Sequence, residues 1–192
     1  MVQDYGVYPL LERVVVPLEA GDLPVPPFVD CFIHDAEERA EMYGASAGNG
    51  RFLPGDYRYA FQLLQWLLRS RMRKKGDAFL EWGSGQGMVT ILATILGYTA
   101  LGVEVDENLV MESRLLAARY DTLAKFEHGT YDERVPDLDV FTAENQDVVY
   151  VYPWPGEEAF FLQLFEETAP AGAYLMMCLG PEDIRLYRKE KE

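Results

Sequence analysis

The sequence is short of positive charge and of cysteine, and both shortages exclude classes of protein. Lysine and arginine number 17 against 32 acidic residues, which gives a formal net charge of −15 at pH 7. A chain this acidic repels phosphate backbones and anionic lipid, so we expect neither nucleic acid nor a membrane as its main partner. The cysteines, Cys31 and Cys178, are too few for a disulfide framework and lack metal-ligand spacing. We therefore expect a cytoplasmic protein without a bound metal.

From the sequence we expect neither a signal peptide nor a membrane span. Its first 24 residues have no basic start, no sustained apolar run and no small-residue cleavage site. The stretch from Trp82 to Val103 has no charged residue and is long enough to cross a bilayer. Its glycine turn and a second break at Gly97 would leave backbone groups unpaired in lipid. We interpret it as a buried turn, helix and strand.

The 192 residues suffice for one domain, and their pattern changes near residue 76. Residues 1 to 54 are proline-rich and irregular, apart from a short helix predicted from Asp35 to Gly44. A longer helix is predicted from Pro54 to Arg71. We expect residues 1–75 to form an N-terminal extension and residues 76–192 to form the core.

The core alternates between short apolar strands and amphipathic helices. Strands are predicted over 78–82, 99–105, 125–127, 147–152 and 173–179, and helices over 87–96, 107–121 and 156–168. This order predicts an α/β fold with a mostly parallel sheet wrapped by helices. Residues 184–188 alternate like an exposed edge strand, and the short connection before them requires antiparallel pairing.

The far end of the longer helix of the extension carries a cluster of basic residues. It consists of Arg69, Arg71, Arg73, Lys74 and Lys75. Positive charge at a helix C-terminus is favourable by itself. The alternative interpretation is an anion-binding patch beside a ligand cleft.

The most informative stretch is E-W-G-S-G-Q-G, residues 81–87, between the first core strand and its helix. Glycines on alternate positions, Gly83, Gly85 and Gly87, allow the backbone to approach a ligand closely. A dinucleotide-binding turn would need glycine where Met88 stands, and Glu81 would repel a pyrophosphate. A phosphate-binding loop is excluded because no Gly-Lys-Ser/Thr follows. The pattern favours a ligand that carries an ammonium and a sulfonium.

With G-V-E-V-D at 102–106, this stretch resembles the first two motifs of the class I, Rossmann-like S-adenosylmethionine-dependent methyltransferases. The resemblance covers residues 76–180 and implies S-adenosylmethionine as the cofactor. It implies that the turn holds the methionine part and that the acid ending the second strand binds the ribose hydroxyls. The cofactor-binding residues implied are Glu81, Gly83, Ser84, Gly85, Gly87, Glu104 and Val105. Asp106 is the alternative to Glu104 for the ribose.

The family commonly has seven strands, and too little chain follows residue 180 for all of them. We therefore expect a Rossmann-like sheet shortened at the C-terminus. Residues 1–75 would then supply a lid on the substrate side. The family's adenine-contacting acid or amide has no clean match, although residues 127–132 offer candidates.

Tyr152-Pro-Trp-Pro follows the fourth core strand, where the family places its methyl acceptor. The family members that methylate amino groups of bases or glutamine have an Asn/Asp/Ser-Pro-Pro-aromatic run, and Tyr152 lacks that amide or acid. Tyr152 and Trp154 form either an aromatic wall for a planar acceptor or a stiffened strand exit with Trp154 in the core. Methyl transfer depends mainly on positioning, and His128 and Asp132 are candidates should a base be needed.

We expect a methyltransferase whose acceptor is a small molecule or a protein rather than nucleic acid. An alternative is a non-catalytic S-adenosylmethionine-binding sensor or partner subunit, because the chemistry demands no catalytic side chain. A third class is an NAD-linked oxidoreductase, which Met88 and Glu81 disfavour.

Overall fold

A computed structural model describes residues 8–47, 55–130 and 146–191 of the chain. Its strands are β1 (Leu11–Val14), β2 (Ala78–Trp82), β3 (Thr99–Glu104), β4 (Lys125–His128), β5 (Val148–Val151), β6 (Tyr174–Gly180) and β7 (Asp183–Lys189). Its α-helices are α1 (Pro27–Ala47), α2 (Tyr57–Arg69), α3 (Met88–Leu96), α4 (Glu107–Arg119) and α5 (Glu158–Thr168), and a 3-10 turn spans Leu18–Ala20. The core elements lie within a few residues of their predicted bounds.

All seven strands form one sheet in the order β1-β7-β6-β5-β2-β3-β4. The five strands from β6 to β4 are parallel to one another, whereas β7 and β1 pair antiparallel. The α/β fold with a mostly parallel sheet is thereby confirmed. The parallel strands end at one side of the sheet, which we call the carboxyl edge. Its described segments are 83–88, 105–108, 129–130, 152–158 and 181–183.

The parallel strands are apolar because both faces of the sheet are covered. One face packs Phe79, Tyr150 and Met176 against side chains of α1 to α4. The other face packs Leu80, Val149 and Leu175 mainly against α5. Strands buried on both faces lose the polar alternation of a half-exposed sheet, as their sequences show.

The N-terminal extension contributes a strand that the sequence did not indicate. Strand β1 pairs with β7, with Leu11 opposite Lys189 and Val14 opposite Leu186. The expectation of fewer than seven strands was therefore wrong, since the start of the chain supplies the seventh. Strand β7 is antiparallel to β6 as predicted, but it lies between β6 and β1 rather than at the edge. Four residues are too few to reveal strand alternation in β1.

Helix α1 begins eight residues before the predicted start and continues through Gly44. Pro27 is its first residue, a position that tolerates proline because the missing N–H would have had no partner within the helix. Val29, Phe32, Ile33 and Ala36 form its buried stripe at helical spacing. Neither α1 nor any other helix in the described ranges is long and apolar enough to cross a membrane.

The basic cluster at the end of α2 lies at the opposite side of the sheet from the carboxyl edge. Arg73 donates to Asp147 Oδ1 at 2.8 Å and to the Gly172 carbonyl oxygen at 2.7 Å. Its guanidinium lies 4.9 Å from the centre of the Tyr174 ring. Asp147 and Gly172 precede β5 and β6, so Arg73 stabilises the amino ends of these strands. The interpretation as an anion patch beside a ligand cleft was wrong.

Candidate functional site

The glycine turn between β2 and α3 is held against the end of β3. Gly83, Gly85 and Gly87 have φ angles of 72°, 53° and 80°, in the left-handed region that favours glycine. The amides of Gly83 and Ser84 both donate to the Val103 carbonyl oxygen at 2.9 Å. The turn thus lies directly on the strand that follows it in the sheet.

Two glycines allow this close packing. A Cβ on Gly87 would lie 2.7 Å from Ser113 Cβ and still nearer the Phe126 ring. A Cβ on Gly102, within β3, would lie 2.6 Å from Ser84 Cβ. The sequence reasoning missed Gly102, although a glycine inside an apolar strand indicates that another backbone approaches closely.

Glu104 ends β3 with its carboxylate beside the glycine turn. Oε2 accepts a hydrogen bond from the Gly85 amide at 2.8 Å, and Oε1 accepts one from the Asp106 amide at 2.9 Å. Each oxygen has a further lone pair, so the buried carboxylate can still accept two hydroxyl hydrogens. Asp106 instead caps α4, where its Oδ1 accepts from the Asn108 amide at 2.9 Å. The geometry favours Glu104 over Asp106 as the hydroxyl-binding acid.

Glu81 lies under the start of α3 and is 4% exposed. Its Oε2 accepts from the Thr90 amide at 2.8 Å and from Thr90 Oγ1 at 2.5 Å. Glu81 thereby caps α3, whose N-cap residue, Gly87, has no side chain to do so. Burial raises the pKa of Glu81 to about 8, and the negative charge of the nearby Glu104 adds to the rise. The two hydrogen bonds from Thr90 lower the pKa but do not offset the effect of burial. The raised pKa favours the neutral carboxyl at neutral pH, and a positive group beside it would favour the ionised form.

Two tyrosines missed by the sequence reasoning lie next to Glu81. Tyr150 of β5 is opposite Glu81 in the sheet register, and Tyr57 begins α2. Burial, reinforced by neighbouring groups that include Glu81, raises the pKa of each phenol well above its usual value. Gly55 covers them, since a Cβ there would lie 3.2 Å from the Tyr150 hydroxyl and 3.6 Å from the Tyr57 ring. Only tertiary contacts reveal this grouping.

The Tyr-Pro-Trp-Pro segment leaves β5 at the carboxyl edge, as predicted. Tyr152 is half-buried, and its ring would lie 3.7 Å from a Cβ on Gly55. Trp154 is 43% exposed, so the interpretation that placed its ring in the core was wrong. The Trp154 carbonyl oxygen accepts from the Glu157 amide at 2.9 Å, which holds the segment in a turn before α5.

His128 lies at the far side of the carboxyl edge. Its Nε2 is 2.9 Å from the carbonyl oxygen of Val105, whose side chain is exposed. Strands β3 and β2 separate β4 from β5, which corresponds to about 14 Å between His128 and Tyr152 at the usual strand spacing. The two candidates are therefore not brought together. Asp132 lies outside the described residues.

Buried polar atoms at the glycine turn and beside it fit a bound polar ligand. Ser84 Oγ, Gln86 Oε1 and the Tyr150 hydroxyl have no hydrogen-bond partner within the described ranges. A Cβ on Gly83 would meet no atom within 4 Å, so the turn is open on that side. With Glu81 and Glu104 on either side, the arrangement suits a ligand with a cationic end and a hydroxyl-bearing end.

No family model matches the sequence, and no curated protein matches it. Solved structures do match. An RNA methyltransferase from Salinibacter ruber in complex with S-adenosylhomocysteine is 20% identical, with a TM-score of 0.54 over 68% of this chain and 92% of that one. A SAM-dependent methyltransferase from Thiobacillus denitrificans, also in complex with S-adenosylhomocysteine, is 20% identical, with a TM-score of 0.52 over 71% of this chain and 54% of that one.

A 16S rRNA methyltransferase from T. thermophilus, in complex with AdoMet and guanosine, is 19% identical, with a TM-score of 0.54 over 74% of this chain and 44% of that one. The chain thus spans about half the length of the second and third structures. The likeness agrees with the sheet order and the glycine turn described above. The chain has the class I S-adenosylmethionine-dependent methyltransferase fold.

Proposed function

We propose that the chain binds S-adenosylmethionine across the glycine turn and transfers its methyl group to an acceptor at the carboxyl edge. The observation that carries this proposal is the position of Glu104, buried and hydrogen-bonded to the Gly85 amide at 2.8 Å. Glu81 lies near enough on the other side of the turn for Glu104 to raise its pKa. Two carboxyls thus flank a turn that carries no side chain at three positions.

The proposed roles follow from these positions. Glu104 accepts hydrogen bonds from the ribose hydroxyls, and Val105 continues the wall beside it. Gly83, Ser84, Gly85 and Gly87 let the backbone approach the methionine part, while Glu81 provides negative charge for its ammonium. When bound, S-adenosylmethionine supplies a methyl group on a sulfonium, whose carbon–sulfur bond breaks with the electron pair remaining on sulfur.

The acceptor would lie against Tyr152 and Trp154, where ligands of open α/β sheets bind. We propose a small molecule or a protein rather than nucleic acid, because the net charge of −15 opposes a phosphate backbone. Two of the similar structures are RNA methyltransferases, so this chain would differ from them in acceptor. The extension, residues 1–75, would lie on the substrate side, which the position of Gly55 over Tyr150 supports.

A second candidate function is S-adenosylmethionine binding without transfer, as in a sensor or a partner subunit. It is favoured by the position of His128, which lies beside Val105 and three strands away from Tyr152. A product distinguishes the two functions, since only an enzyme releases S-adenosylhomocysteine when an acceptor is supplied.

The experiment is isothermal titration calorimetry with S-adenosylhomocysteine and, separately, NADH. We expect S-adenosylhomocysteine to bind and Glu104→Ala to weaken its binding by about 1.5–3 kcal/mol. The matched control is Asp106→Ala, which should lower the free energy of unfolding by about 1 kcal/mol through loss of the cap but leave the affinity nearly unchanged. Binding of NADH without a response to S-adenosylhomocysteine would favour an NAD-linked oxidoreductase and refute the proposal.

A further inference from the structure

Three tyrosines from separate parts of the chain approach one point at the carboxyl edge. Tyr57 is the first residue of α2, Tyr150 lies in β5, and Tyr152 directly follows that strand. A Cβ on Gly55 would lie 3.2 Å from the Tyr150 hydroxyl and 3.6 and 3.7 Å from the rings of Tyr57 and Tyr152. We call these three residues the tyrosine cluster. Because the extension supplies one member and the core supplies two, only the folded chain contains it.

The tyrosine cluster lies next to the methionine end of the proposed cofactor site. Tyr150 is opposite Glu81 in the register of β5 and β2. Strand β5 borders β2 on the side away from β3, whose last residue is Glu104. A nucleoside held by its ribose on Glu104 and by its ammonium on Glu81 has its sulfur between the two, only three carbons from the ammonium. The sulfur and its methyl group are therefore within reach of the cluster.

In the described part of the chain, no basic side chain forms an ion pair or a cation–π contact with the tyrosine cluster. The described segments of the carboxyl edge contain no lysine or arginine. Arg58 follows Tyr57 in α2, but its guanidinium forms an ion pair with Asp30 of α1. The cation–π contacts of the described residues involve Tyr174 and Tyr120 instead. A cation at the cluster would therefore have to come from a ligand.

Neutral phenol rings beside a carboxyl attract a cation. Burial raises the pKa of Tyr57 and Tyr150 well above the usual value, and the charge of Glu81 adds to the rise, so both phenols stay neutral. A cation within about 6 Å of such a ring is stabilised by the ring face. A sulfonium suits these surroundings, because it has no hydrogen to donate and needs only ring faces and oxygen lone pairs around it. A neutral thioether gains none of this stabilisation.

We propose that the tyrosine cluster is the subsite for the sulfonium and its methyl group, and that it makes the chain select the charged methyl donor over the neutral product. This inference rests on the proposed function, because it assigns residues to the methyl end of that cofactor. Tyr152 is the half-buried member, so it is the one that a ligand and an acceptor can both reach. On transfer the methyl carbon bonds to an electron pair of the acceptor, and the pair of the broken bond stays on sulfur. The sulfur is then neutral, and the product is held less tightly.

Isothermal titration calorimetry tests the proposal with S-adenosylmethionine, S-adenosylhomocysteine and sinefungin, in which a carbon bearing a protonated amine replaces the methylated sulfur. We expect the wild type to bind both cationic nucleosides about fivefold more tightly than S-adenosylhomocysteine, from a partly desolvated cation–π contact. Tyr152→Leu should remove most of that preference, whereas Tyr152→Phe, which keeps the ring, should retain it. The matched control is Tyr59→Leu, which removes another half-buried ring of the extension, one that lies against Gly21, and should leave the preference unchanged.

Two results would overturn the inference. One is a wild type that binds S-adenosylhomocysteine as tightly as the two cationic nucleosides. The other is an unchanged preference in Tyr152→Leu, because a ring that only packs the fold would alter all three affinities alike. A wild type that binds none of the three nucleosides would instead refute the proposed function. Equal binding of all three retains that function and removes this subsite.

Discussion

Glu81 makes the stability of the fold depend on pH in a direction opposite to that of most carboxyl groups. Its pKa is raised from 4.5 to about 8 in the folded protein, with burial as the largest cause. The folded state therefore holds the proton more tightly than the unfolded chain does. The contribution of Glu81 to the free energy of unfolding is therefore fully present below about pH 4.5 and is lost progressively as the pH rises to about 8. Above about pH 8 this contribution no longer changes with pH.

The size of the effect follows from that shift. Each pH unit between the two pKa values corresponds to about 1.4 kcal/mol. The rise from 4.5 to about 8 would give about 5 kcal/mol if the surroundings of Glu81 stayed fixed. Relaxation and water entry reduce such values, so we expect a loss of about 2–5 kcal/mol.

Urea unfolding from about pH 5 to about pH 8 measures this contribution, with Glu81→Gln as the test variant. Glutamine has the size of glutamate, can accept the hydrogen bond from the Thr90 amide and does not ionise. As the pH rises, the free energy of unfolding of the wild type should therefore fall relative to that of Glu81→Gln. Glu19→Gln, which removes an exposed carboxyl, should follow the wild-type curve. Parallel curves for wild type and Glu81→Gln would refute the reasoning.

The same experiment connects Glu81 with the cofactor. A cation beside the carboxyl favours its ionised form, so saturating S-adenosylhomocysteine should flatten the pH dependence of the wild-type unfolding energy. If Glu81 only caps α3, the nucleoside would raise stability by a constant amount at each pH. The two outcomes separate a ligand-binding Glu81 from a purely structural one.

Two further predictions concern packing, and denaturant unfolding checks both. Gly87→Ala should lower the free energy of unfolding by about 2–5 kcal/mol, because a left-handed backbone conformation is combined with overlap between the new Cβ and Phe126. Gly172→Ala is the control: its φ is also left-handed, at 87°, but no atom lies within 4 Å, so it should lower the free energy of unfolding by only about 1–2 kcal/mol. Equal losses in the two variants would contradict the overlap at Gly87. Tyr150→Phe removes an unpartnered hydroxyl and should leave stability unchanged or raise it by about 1 kcal/mol. Tyr98→Phe is the control: it loses a hydrogen bond to the Leu64 carbonyl oxygen at 3.2 Å and should lower stability by about 1 kcal/mol. A similar fall in stability in both variants would contradict the account of Tyr150.

The cofactor side of the site could be predicted because its chemistry is local in the sequence. Glu81, the glycine turn and Glu104 lie within a single strand, helix and strand, and the strands are apolar runs that end at glycines or acids. Parallel strands bring their carboxyl ends together, so the residues that follow them meet. The same locality allowed the bounds of β2 to be predicted to the residue.

The errors lie where the identity or the bounds of an element depend on distant contacts. Strand β1 has four residues, of which only Leu11 and Val14 are half-buried, so its sequence shows no pattern without β7 beside it. Helix α1 was predicted too short because Pro26 and Pro27 were interpreted as irregular chain. Proline at the first helical position cannot be distinguished from such chain until the buried stripe is matched to its partner.

The acceptor side is assembled from segments far apart in sequence. Asp56 Oδ1 caps α2 through the Tyr59 amide at 2.9 Å, and its Oδ2 accepts from the Glu182 amide at 3.0 Å. One carboxylate thus joins the extension to the turn after β6 and fixes Gly55 over Tyr150. The cofactor motifs contribute nothing to this joint. Chains with the same glycine turn can therefore differ in acceptor through residues that no motif identifies.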